Sequence, residues 1–323
     1  MLPKILFSSW KSFWLTIRIA LVFVVLSPSV EAVTQNYRLI LTENPGTSIT
    51  IGWELIAGCP DTQRIYFDTI DHGQDTAAYQ FQVSVTASYF HQGMENYFST
   101  LNNLKPDTYY YFVIAEDEGI SNRYWFQTLS KKKNSWKTYW TSPDLHQKPD
   151  EWRELNAWVA KNEFNFLLMD GLSGFHTKTD WREWLENWQS SISASGRMTP
   201  LLIIGSFSSD IQYLFNLPEK PLYTYQLSSQ SALVVLPEKG KLKRRHLKKF
   251  SPEAVVIGYS LVTLDKIPEA VDINLTSSST HYNELPNQFG FPDDEMMVEL
   301  HWKNGQFSVQ SGIGKKIWEV FSN

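Results

Sequence analysis

Hydrophobic and polar positions along this chain follow two periods. From Tyr37 to Leu129 apolar and polar residues alternate in short runs: Tyr37–Thr42, Ser48–Trp53, Arg64–Thr69, Tyr79–Val85, Tyr109–Asp117 and Arg123–Leu129. Each run has strand length and is rich in β-branched and aromatic residues. Turn residues such as Asn44-Pro45-Gly46 and Glu118-Gly119 separate them. So many short strands in so short a stretch predict a β-sandwich.

Past Trp136 the period changes. Trp136–Thr141 and Phe164–Met169 read as strands, and between them Trp152, Leu155, Trp158 and Val159 fall on one face of a helix that begins near Pro149 or Asp150. A second helix, capped by Thr179 or Asp180, places Trp181, Trp184, Leu185, Trp188 and Ile192 along one stripe. Tryptophans so spaced could form a sugar platform, but this period is more often a core-facing stripe. Pro200-Leu-Leu-Ile-Ile-Gly205 is an unbroken apolar run, the mark of a strand buried on both faces. Ser231–Pro237 and Ala254–Val262 repeat that mark. Strands alternating with helical periods imply parallel βαβ units. Near the end, Asn304-Gly305 between two alternating runs predicts a hairpin over Val298–Gln310.

Composition adds size and compartment. With 323 residues, 42% hydrophobic and 15% aromatic, the chain is long enough for two cores. Lys4, Lys11 and Arg18 precede the apolar run Ile19–Leu26, and small residues follow through Ala32, the layout of a signal peptide cut after Ala32; a retained N-terminal anchor is the alternative. Loss of residues 1–32 would make the net charge of −5 more negative by two, so no attraction to nucleic acid is expected. Cys59 is the one cysteine, which excludes an intramolecular disulfide and a cysteine-based structural zinc site. Asn274-Leu275-Thr276 is an N-glycosylation sequon, relevant in a host that glycosylates.

Leu104-Lys105-Pro106-Asp107-Thr108-Tyr109-Tyr110 resembles the corner of fibronectin type III domains, in which a tyrosine hydroxyl, here that of Tyr110, bonds back to the backbone. Trp53 fits the core tryptophan of an early strand. The strings ITIGWE, RIYFDT, HQGMENYFSTLNNLKPDTYYYFVI and RYWFQT further resemble the sandwich that precedes the catalytic domain of purple acid phosphatases. His91 stands where that sandwich often carries a histidine, for which a structural role is favoured over a ligand role.

The order of the later strands resembles the calcineurin-like metallophosphatases, the wider family that includes purple acid phosphatases. That resemblance implies metal ligands in five strand-end loops, where two ions clamp a phosphate and activate water. Ser142-Pro-Asp144-Leu-His146 matches the first motif and Asp170 the second, though Met169 replaces a glycine and Ser173 a tyrosine. At the third motif Ser206 and Phe207 replace asparagine and histidine. Pro237 replaces the histidine of the fourth, and Tyr259 and Leu261 the two histidines of the fifth. Asp144, His146 and Asp170 thus remain as vestigial metal ligands, and Asp210 or His176 could substitute. A dinuclear site needs more hard donors than these.

The expectation is therefore a multidomain α+β protein. Residues 1–32 form a signal peptide, 33–130 a fibronectin III-like, purple acid phosphatase N-terminal-type domain, and 131–323 a layered α/β metallophosphatase-like sandwich without its dinuclear site. No cofactor is expected beyond at most one weakly held divalent or ferric ion. The resemblance leads to a secreted, periplasmic or extracellular pseudo-phosphatase with a binding or scaffolding role and no transmembrane span in the mature chain. Its alternative is a residual metal-dependent phosphoesterase using Asp144, His146 and Asp170. Lys241, Lys243, Arg244, Arg245, Lys248 and Lys249 form a basic run whose default reading is a solvated face; the second is a patch for an anionic envelope polymer or lipid headgroups. An unknown protein is the other candidate partner. The connector Ser130–Ser135 reads as a polar hinge.

Overall fold

The computed structural model describes residues 34–58, 60–117, 119–132, 136–141, 149–169, 175, 177–203, 208–217, 223–228, 231–236, 253–258, 271–276, 288–290, 298–303 and 306–311. The expected leader, residues 1–32, and Cys59 lie outside the described residues. The described residues fall within one compact unit.

The alternating regime forms β1 (Thr34–Leu41), β2 (Ile49–Leu55), β3 (Arg64–Asp68), β4 (Phe81–Ser84), β5 (Ala87–His91), β6 (Met94–Leu101), β7 (Tyr109–Glu116), β8 (Gly119–Ile120) and β9 (Tyr124–Gln127). β1, β2, β6 and β5 pair in that order, antiparallel throughout, and β4-β3-β7-β8 with β9 on β7 make a second sheet. Alternation sends Leu39, Ile51, Trp53, Ile65, Phe112, Ile114 and Phe126 into one buried cluster. Trp53 is fully buried and its indole N–H donates to Gln63 Oε1. The Tyr110 hydroxyl accepts from the Lys105 N–H at 2.9 Å, the bond expected of its corner.

β5 and β6 are among the strands that escaped the sequence pattern. Met94–Leu101 pairs with Ala87–His91 through a two-residue turn, Gln92-Gly93, with φ of 52° and 67°. Positive φ at both positions gives the type I′ twist that suits a hairpin, and Asn-Gly or Asp-Gly are its usual carriers. Gln-Gly hid it.

The second regime forms β10 (Thr138–Thr141), α1 (Pro149–Lys161), β11 (Phe166–Met169), α2 (Lys178–Trp188), β12 (Leu201–Ile203) and α3 (Ser209–Phe215). Then come β13 (Tyr223–Gln226), β14 (Ser231–Leu236), β15 (Glu253–Gly258), β16 (Val271–Thr276), β17 (Gln288–Gly290), β18 (Val298–Lys303) and β19 (Gln306–Ser311). β10, β11 and β12 are parallel, as are β14 to β17, with β13 antiparallel on the edge of the latter sheet. The predicted final hairpin is the β18–β19 pair, with Lys303 opposite Gln306. The sequon falls at the end of β16, where Asn274 is paired with Val256 on one side and Gln288 on the other. It is ladder, not loop.

The tryptophan stripe faces inward: Trp181, Trp184, Leu185 and Trp188 are all buried. The cap is Thr177, not Thr179 or Asp180. Its Oγ1 accepts from the Asp180 N–H at 3.2 Å while the Asp180 carboxylate accepts from the Thr177 N–H at 2.9 Å, a capping box.

The two regimes share a sheet. β1 pairs in parallel with β12, Ile40 opposite Leu201, which fuses the strands into the order β10-β11-β12-β1-β2-β6-β5. Both faces of β11 and β12 are therefore covered. Leu167, Met169, Leu201 and Ile203 join the helix side with Trp181, Trp184, Leu214 and Phe215, while Leu168 and Leu202 join the sandwich core with Tyr223 and Tyr225.

A bulge makes the seam. Gln35 lies opposite Glu54 and Arg38 opposite Gly52, with Asn36 at φ 55° between them. The extra residue re-aims Arg38 into the interior. Gly52 makes room for it: a Cβ there would meet the Phe98 ring at 2.6 Å. Arg38 is fully buried, donating to the carbonyls of Leu214 (2.7 Å) and Asn36 (2.8 Å) and to Asn96 Oδ1 (2.6 Å). Its guanidinium lies 5.0 Å from the Phe98 ring. Beside it, Glu54 accepts from Gln35, Asn36 and Arg182, and the Gln189 side-chain amide bonds both the N–H and the carbonyl of Tyr37, doing for the bulge what a neighbouring strand would. On the opposite sheet, Trp125 exchanges backbone bonds with Gly196 and Met198. Lys131 and Lys132 of the connector are exposed, and residues 133–135 lie outside the described residues.

Candidate functional site

Parallel strands gather their carboxyl ends at one edge, and loops leaving that edge are where α/β sheets place ligands. In this chain the edge is level. Thr141, Met169 and Ile203, the last residues of β10, β11 and β12, stand in one register across three strands. Leu236, Gly258, Thr276 and Gly290, the last residues of β14 to β17, stand in another. The first residues after these ends are Ser142, Asp170, Ile204, Pro237, Tyr259, Ser277 and Phe291. One of them, Asp170, is a carboxylate, and none is an imidazole.

Asp144, His146, Asp170 and His176 lie outside the described residues, as do Ser206, Phe207, Pro237, Tyr259 and Leu261. The basic run Lys241, Lys243, Arg244, Arg245, Lys248 and Lys249 lies outside them too. Among the described residues no group of three His, Cys, Asp or Glu side chains is placed to hold a metal ion.

Between β11 and α2 the described residues are Phe175 and Thr177. Phe175 is buried with its ring centroid 5.5 Å from that of Trp152 on α1 and 5.1 Å from that of Trp181 on α2. Trp181 in turn packs on Phe215 of α3. Sequence reading missed Phe175 because a single aromatic in a polar loop has no period to mark it.

Two polar residues of interest do meet. His91, the last residue of β5, brings Nε2 within 2.5 Å of Asp210 Oδ1 in the first turn of α3, and the Gln92 amide donates to the same oxygen at 3.0 Å. Tyr213, one turn along α3, sets its ring 4.9 Å from the imidazole, and Tyr89 donates to Asn216 Oδ1 at 3.1 Å. Ser208 caps α3 by accepting from the Ile211 N–H. Asp210, a candidate substitute ligand, is thus engaged by the sandwich hairpin. His91 acts here as a structural partner.

A family model of the purple acid phosphatase N-terminal domain matches residues 34–128. The chain is purple acid phosphatase-like. The solved structure of PhoD aligns with this purple acid phosphatase-like chain at a TM-score of 0.52 and 8% identity, covering 78% of this chain and 73% of that one. At such identity the likeness is one of fold. The sensor domain of the anti-sigma factor RsgI4 from Pseudobacteroides cellulosolvens aligns over 30% of this chain and 97% of its own at 14% identity, with a TM-score of 0.18 that carries no argument. No curated protein sequence matches the chain significantly.

Proposed function

We propose that this chain is a secreted pseudo-phosphatase: a fibronectin III-like sandwich joined to a layered metallophosphatase-like domain that has lost its dinuclear site and serves in binding or scaffolding. The observation that carries the reading is the pairing of level strand ends with the residue types that follow them. A dinuclear centre needs carboxylates and imidazoles from several loops at once. Asp170 follows β11 directly, but Ser206 and Phe207 follow β12, Pro237 follows β14, and Tyr259 and Leu261 follow β15. Hydroxymethyl, phenyl, proline and isobutyl groups are poor exchanges for hard ligands. The donor set does not fit two metal ions. The fibronectin-like part of the reading is supported by the Tyr110 corner, the α/β part by parallel β10, β11 and β12 with helices between them. Secretion is supported by the sequence of residues 1–32, and among the described residues no helix is long and apolar enough to cross a membrane.

The rival reading, a single-metal phosphoesterase, is favoured by one feature, a carboxylate at the head of the β11 loop. A phosphomonoester assay with added iron, zinc or manganese separates the two. The pseudo-phosphatase reading expects turnover no higher than that of the Asp170→Ala variant. Metal-dependent turnover that Asp170→Ala abolishes overturns it.

A further inference from the structure

We draw no further inference here: the strongest candidate, the part-exposed aromatic face of β7 and β9 on which the rings of Tyr109 and Tyr111 stand 5.6 Å and 6.4 Å from that of Trp125, carries no proposal because nothing in the structure shows what covers it.

Discussion

Arg38 shows how one residue commits the chain to its architecture. Three hydrogen bonds and two aromatic faces hold a guanidinium with no exposed surface, and burial pushes its pKa down to about 9 while Glu54 opposes the shift. Its acceptors come from β1, β6 and α3, so it ties the sandwich to the helical layer. Removing one member of such a buried set strands the rest. Arg38→Met is therefore expected to lower unfolding free energy by about 3–5 kcal/mol in a denaturant titration. A loss below about 1 kcal/mol would mean that the seam does not depend on it. Little in the sequence marks this arginine. Its burial follows from the bulge at Asn36, and a non-glycine residue at positive φ has no local signature.

Among elements, those with a sustained period were the legible ones. The α2 stripe, the buried runs of β11 and β12, the strands β14 and β15, and the β18–β19 hairpin stand where apolar spacing and Asn-Gly placed them. β5 and β6 did not show, for two reasons: the turn uses Gln-Gly, and β5 is an edge whose exposed face carries a phenylalanine, which blurs alternation. The union of β1 with β12 rests on residues 161 positions apart in the pair Ile40 and Leu201. No local pattern encodes that. The same holds for His91 and Asp210, 119 positions apart, which make the tip of the β5–β6 hairpin a clasp on the first turn of α3. Asp210→Ala leaves His91 and Gln92 without their shared acceptor. A cost of about 1 kcal/mol is expected, seen as a lower melting temperature. An unchanged melting temperature would show that the clasp adds nothing to the packing of Tyr213 on His91.

At the scale of the molecule, one sheet and one core run through both sequence regimes. Tyr223 and Tyr225 belong to the same buried cluster as Trp53 and Phe112. Regions joined in this way should not unfold separately. Calorimetry is expected to give a single transition in which near-ultraviolet signals from the sandwich and from the tryptophan stripe vanish together. Two resolved transitions would contradict the fused seam. Strand order and strand ends are written in apolar runs, so the ends at Met169, Ile203, Leu236 and Gly258 were legible, but the residues that follow them are not periodic. Residue type is what remains there, and it carries the central claim. That claim is tested most directly by counting transition metal in the purified mature chain after expression with iron, zinc and manganese supplied. The account predicts a substoichiometric content that falls further on dialysis. A full dinuclear complement retained through dialysis would contradict it.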